Sequence, residues 1–160
     1  TRVVILDADV RNPSIESLMG MNRRRGMTDV LNGRLALDRA IQKTSFHQLA
    51  LIGAGSLPRN PSELIAAADR FKVFVHALKE SFNYILIDAP PALDLTDATV
   101  LGHSVDGVIV VVRLEATPRQ EVERTISILE NVGANVLGTF LVGTRPVKRR
   151  YAGYYSYGQG

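Results

Sequence analysis

The residues best suited to chemistry sit at the ends of two short apolar runs. The first run ends in Asp7-Ala8-Asp9, followed by Val10-Arg11-Asn12-Pro13. Two carboxylates at alternate positions, at the carboxyl end of a buried strand, can approach a hard cation directly or through its waters. Magnesium suits such a site because it keeps several waters and takes few protein ligands. The second run, Ile85-Leu86-Ile87, ends in Asp88-Ala89-Pro90-Pro91. Its single carboxylate could orient a metal-bound water, and its prolines stiffen the exit. Taken alone, each aspartate is equally well explained as a cap or a turn residue. Both roles stay open, and repetition at two strand ends favours the metal.

Two further segments draw notice. The loop Gly53-Ala54-Gly55-Ser56-Leu57-Pro58-Arg59-Asn60-Pro61-Ser62-Glu63-Leu64 has glycines that permit unusual backbone angles near a ligand. It reads equally as an ordinary strand-to-helix connection with a good cap. The chain closes with Tyr151, Tyr154, Tyr155 and Tyr157, four of its five tyrosines, in the last ten residues. The segment has glycines and no periodicity, so it reads as a flexible tail. Such a tail could carry a hydroxyl to an active site, or be a low-complexity end without chemistry.

The elements that must position these residues follow from apolar patterning. Val3 to Leu6, Leu49 to Ile52, Tyr84 to Ile87, Gly107 to Val112 and Val136 to Val142 are short, β-branched and apolar. None alternates cleanly, which predicts strands buried on both faces of a parallel sheet. Between them, Pro61 to Phe82 carries helical spacing, with a possible break at Asp69, and Pro118 to Val132 repeats it through Val122, Ile126 and Leu129 before Gly133. Alternating strands and helices predict an α/β domain with a doubly wound, mostly parallel sheet flanked by helices. The expected division is one α/β domain over 1–147 and a basic, tyrosine-rich tail over 148–160.

Composition narrows the class. Apolar residues at 46% and charged residues at 22% suit a globular domain rather than a disordered chain. Cysteine is absent, which excludes disulfides and thiolate metal sites. No apolar run reaches the length of a membrane span. The chain opens on Thr1 rather than methionine, so the expectation is a piece of a longer or processed product. Thr144 to Gly160 holds four basic residues and no acidic one, so the net charge of +3 resides in the tail. Arg23, Arg24 and Arg25 form a second basic cluster. Either cluster could meet an acidic partner or an anionic membrane, or be a solvated surface run.

In order and spacing, VVILDADVRNPS (3–14), GMTDVLNG (26–33), LIGAGSLPRNPSELI (51–65), FNYILIDAPPALDLTDA (82–98), DGVIVVVRLEAT (106–117) and the tyrosine tail resemble the bacterial tyrosine kinases. These are the autokinases that partner polysaccharide chain-length and export proteins. More distant resemblance is to the MinD and ParA ATPases, which share the deviant Walker strands of the P-loop NTPase fold. The resemblance implies an ATP-dependent tyrosine autokinase using ATP and Mg2+. It implies that Asp7 and Asp9 are catalytic, that Asp7, Asp9 and Asp88 hold the metal, and that Arg11, Asp88 and Pro91 serve the nucleotide. Tyr151, Tyr154, Tyr155 and Tyr157 would be the phosphoacceptors.

The implied partners are a transmembrane polysaccharide co-polymerase or adaptor, fused or separate, further copies in a ring, and a cognate tyrosine phosphatase, with no nucleic acid. The implied place is the cytoplasmic face of the bacterial inner membrane. Two features depart from the pattern. No GxxxxGK[ST] loop occurs, and the family carries it on a strand upstream of the DxD strand, so the fold is expected to be incomplete at its N-terminus and this piece alone inactive. Leu141-Val142-Gly143-Thr144 lacks the asparagine that relatives place there for base recognition. The competing functions are a MinD- or ParA-like switch ATPase and a non-catalytic pseudokinase module.

Overall fold

In the computed structural model, residues 1–23, 25–56, 68–91, 101–102 and 104–143 are described. All five apolar runs form strands: β1 (Val3–Asp7), β3 (Leu49–Ile52), β4 (Tyr84–Asp88), β5 (Val108–Arg113) and β6 (Val136–Val142). A two-residue strand, β2 (Gln42–Lys43), is added at one edge. Its polar sequence carries no strand pattern, and it forms because it pairs antiparallel with β3. Helices α1 (Ile15–Leu18), α2 (Met27–Leu31) and α3 (Leu37–Ala40) are single turns too short to show periodicity.

Two longer helices match the apolar spacing. Within the described residues, α4 (Ala68–Lys79) occupies the second half of the expected 61–82 helix and ends short of Phe82. The chain turns there, with Ser81 and Phe82 both donating to the Leu78 carbonyl. The first half, with its Pro61–Ser62 cap, lies outside the described residues. α5 (Arg119–Asn131) starts after Pro118, whose extended backbone makes it the N-cap. It stops at Gly133, whose φ of +78° closes the helix in the left-handed region.

The sheet is mostly parallel and in two parts. One has the order β2-β3-β1-β4, with β1 parallel to both neighbours; the other is the parallel pair β5-β6. One face of the larger sheet presents Val4, Leu6, Ala50, Ile52, Ile85 and Ile87 to a core completed by Met27, Leu31, Phe71, Phe74, Val75 and Leu78. Phe71 and Phe74 stack with ring centroids 6.2 Å apart. Burying a side chain such as Leu78 contributes roughly 1.5–3 kcal/mol.

The expectation of burial on both faces holds for β3 but not for β4, β5 or β6. Tyr84 and Leu86 are 62% and 56% exposed, and Ile109, Val111, Leu137 and Phe140 are also mostly exposed. Among the described residues β4 and β5 are covered on one side only, and β6 is largely open on both, with Phe140 and Leu141 each more than half exposed. Apolar composition alone does not register how many layers actually pack on a sheet.

Candidate functional site

β1 and β4 end side by side. Their parallel pairing sets Asp7 opposite Asp88, and the Ala8 amide donates to the Asp88 carbonyl at 2.8 Å. Residues opposite one another in register point to the same face, on strands about 4.8 Å apart. The two carboxylates therefore share one face at the carboxyl end of the sheet, where parallel α/β folds bind ligands.

Asp7 is fully buried. Its Oδ2 accepts the amides of Ser14 at 3.0 Å and Ile15 at 3.1 Å. These are leading amides of α1, which lack intrahelical acceptors. Among the described residues its Oδ1 is buried without a hydrogen-bond partner, an arrangement that native proteins rarely leave unexplained. Burial pushes the Asp7 carboxyl above its ordinary pKa, against the pull of the Ile15, Ser14 and Asp9 amides, and the Asp9 charge adds to the rise. Asp88 is pushed up by burial and then by the charges of Asp7 and Asp9. Asp9 sits in the turn after β1, with Oδ1 accepting the amides of Arg11 at 3.2 Å and Asn12 at 3.0 Å.

The three expected metal-site aspartates are thus within electrostatic reach of one another, and their mutual repulsion is what a divalent cation would relieve. Among the described residues no three His, Cys, Asp or Glu side chains stand close enough to enclose an ion by themselves. The turn role is visible for both: Asp7 caps α1 with Oδ2, and Asp9 fixes its own turn. Arg11 engages this turn through its backbone amide, and Pro91 lies exposed beyond β4. Residues 57–67, with the Asn60-Pro61-Ser62-Glu63 segment, and Tyr151, Tyr154, Tyr155 and Tyr157 lie outside the described residues.

The glycine loop after β3 has a structural explanation. Met27 and Thr28 donate their amides to the carbonyls of Gly53 and Ala54 at 2.9 and 3.0 Å. The Thr28 hydroxyl donates to the Ser56 carbonyl at 2.7 Å. Asp29, buried, accepts the Ser56 amide at 3.1 Å, the Ser56 hydroxyl at 2.8 Å and the Gly26 amide at 3.0 Å. Burial raises its pKa, but the Ser56 hydroxyl, the Ser56 and Gly26 amides and the Arg25 charge outweigh that and hold it below the ordinary value. Gly55 takes φ +88°, and a Cβ there would lie 2.7 Å from Asp29 Oδ2 and Thr28 Oγ1.

Two residues of the arginine cluster also serve this loop: Arg23 donates to the Gly55 carbonyl at 3.2 Å, and Arg25 lies close enough to bias Asp29. Arg24 is outside the described residues. Asp29 was detectable in the sequence, because an acid three residues past Gly26, before an apolar run, is the acceptor half of a capping box. Glu16 and Gln42, a buried pair hydrogen-bonded at 2.8 Å, had no such signal.

Comparison with known proteins gives this geometry a family. Residues 1–139 match the AAA domain family model. The tyrosine-protein kinase ptk of Acinetobacter johnsonii is 34% identical over 153 residues, 96% of this chain and 20% of that protein. The putative tyrosine-protein kinase CapB of Staphylococcus aureus is 29% identical over 99% of this chain and 68% of its own length. Among solved structures, the kinase domain of the Escherichia coli tyrosine kinase ETK superposes with a TM-score of 0.85 at 30% identity, covering 99% of this chain and 60% of that one. The septum site-determining protein MinD of Pyrococcus horikoshii, complexed with Mg-ADP, shares the fold at a TM-score of 0.71 and 24% identity, over 88% of this chain and 57% of that one. The chain spans about one fifth of the length of the first curated kinases it matches. It has the mostly parallel α/β fold of the P-loop NTPases and belongs to the AAA domain family, in its bacterial tyrosine-kinase branch.

Proposed function

We propose that this chain is the main part of an ATP-dependent tyrosine autokinase domain, with Asp7, Asp9 and Asp88 holding a hydrated magnesium beside the nucleotide. The observation that carries the reading is the carboxylate pair at the ends of β1 and β4, with Asp7 Oδ1 buried and unpaired. When bound, Mg2+ would neutralise charge on the transferring phosphoryl group. Asp7 contributes an oxygen held in place by α1. Asp88 offers a second oxygen across the strand pair. Asp7 would also be the base or orienter for the incoming tyrosine hydroxyl, with Asp9 in the following turn helping to hold the metal. Arg11 and Pro91 would flank the nucleotide. Catalysis of this kind is mostly positioning and charge neutralisation, which rigid strand ends supply.

The phosphate loop itself would be carried on a further strand. β4 and β5 each pair on one side only among the described residues, and both present exposed apolar side chains. A parallel strand between such edges would join the two sheets. The acceptors would be Tyr151, Tyr154, Tyr155 and Tyr157, presented to a neighbouring copy. Each phosphate would add roughly −1.5 to −2 charges to a basic tail and alter its attraction for partners. A kinase of this branch would work at the cytoplasmic membrane face, beside a polysaccharide co-polymerase and opposed by a tyrosine phosphatase. Among the described residues no helix is long and apolar enough to cross a membrane.

Incubating the full-length protein with Mg-ATP and mapping phosphate by mass spectrometry tests the reading. Phosphotyrosine on the tail, lost in Asp7→Asn, is expected. ATP hydrolysis with an unmodified tail would point instead to a switch ATPase, and no nucleotide binding at all to a non-catalytic module.

A further inference from the structure

Asp7 reaches its functional geometry through α1, and α1 is itself anchored at a second point that the proposed chemistry does not touch. Glu16, the second residue of α1, is buried at 5% exposure. Its Oε1 accepts a hydrogen bond from Gln42 Nε2 on the edge strand β2 at 2.8 Å, and Gln42 is buried as well. The carboxylate lies against the Cα of Gly53, where an added Cβ would stand 2.6 Å from both of its oxygens. A buried carboxylate is kept only where its surroundings compensate it, so Gln42 and the space at Gly53 hold this side chain in one place.

The fixed object is the start of α1. Its Ser14 and Ile15 amides grip Asp7 Oδ2 and so determine where the unpaired Oδ1 points. A single helical turn has too few internal hydrogen bonds to hold that orientation alone. We infer that Glu16, latched by Gln42 and seated on Gly53, is a positioning residue that aims the Asp7 carboxylate at the cation. It acts through α1 and touches neither ion nor nucleotide. The weak two-residue strand β2 then has a purpose, because it brings Gln42 to the latch. The inference rests on the metal site proposed above.

The test uses the full-length protein with Mn2+ as the probe, its affinity read by electron paramagnetic resonance in the presence of ATP. Glu16→Ala is expected to weaken Mn2+ binding about tenfold, the lower end of what outer-shell substitutions cost a metal site. Glu16→Gln keeps an acceptor for Gln42 Nε2 and is expected to restore most of the affinity. Val75→Ala, a core truncation on α4, controls for general loss of stability and should leave Mn2+ affinity within about twofold, because packing defects away from a ligand perturb it little. An affinity in Glu16→Ala equal to that of Val75→Ala, or Glu16→Gln binding no better than Glu16→Ala, overturns the latch. Wild-type protein that binds no Mn2+ overturns the metal site itself, so the two failures are distinguishable.

Discussion

Replacing Asp88 by Asn should stabilise the metal-free protein while removing the ion binding proposed for it. Asp7 and Asp88 are in register on adjacent parallel strands, which sets their carboxylates about 5 Å apart. Two unit charges at that distance repel by about 0.8 kcal/mol in water and about 3 kcal/mol at an effective dielectric of 20. Asp88 is open to solvent on one side, so the lower part of that range applies, and the expected gain is about 1 kcal/mol at pH 7.

The pH dependence fixes the sign. The folded pKa of Asp88 is raised above its ordinary 3.8 by burial and by the charges of Asp7 and Asp9. A carboxyl raised in this way favours the folded state at pH below 3.8, and that advantage disappears as pH rises through the folded pKa. Asn carries no charge, so the substitution should gain stability at pH 7 and little near pH 3. Urea unfolding of both proteins in a chelating buffer at the two pH values measures this. A destabilised Asp88→Asn at pH 7, or an equal gain at both pH values, would refute the argument that the strand ends store carboxylate repulsion.

Other consequences concern the loop after β3. Asp29→Ala removes acceptors from the Gly26 and Ser56 amides and the Ser56 hydroxyl, and should cost about 3 kcal/mol at pH 7 by urea unfolding. Because the folded pKa of Asp29 is lowered, its contribution is present above pH 3.8 and fades as pH falls through the folded value. The gap between Asp29→Ala and wild type should therefore narrow in acid. Gly26→Ala would set a Cβ 2.8 Å from the Gly55 amide nitrogen and closer still to the Gly53 carbonyl. Rigid backbone on both sides cannot give way, so thermal unfolding should report a loss of about 1–3 kcal/mol.

Local chemistry made much of this protein legible in one dimension. The five β-branched runs became strands within a residue or two, since short apolar segments bounded by turn residues have few other places to go. Pro118 and Gly133 bounded α5 because one pre-sets an extended entry and the other accepts a left-handed exit. Asp7, Asp9 and Asp88 could be picked out because a carboxylate ending a buried strand is chemically conspicuous. The glycines of the 53–55 loop fit a ligand-facing turn or an ordinary connection equally well in sequence, and in the structure Gly53 and Gly55 make room for Glu16, Asp29 and Thr28. Sequence shows that a Cβ is missing but not what fills the space.

What tertiary structure alone decided is pairing. Residues 7 and 88 meet only because β1 and β4 lie side by side in parallel register, a contact whose sequence separation no local pattern encodes. The same holds for Gln42 on Glu16 and for Ser56 on Asp29. Burial was likewise a property of the assembled layers, which is why the apolar run of β3 is covered while Leu86 on β4 and Val111 on β5 are open. Residue type and spacing determined which groups could do chemistry. Strand order determined which of them are close enough to do it together, because electrostatic coupling depends on distance through space and not along the chain.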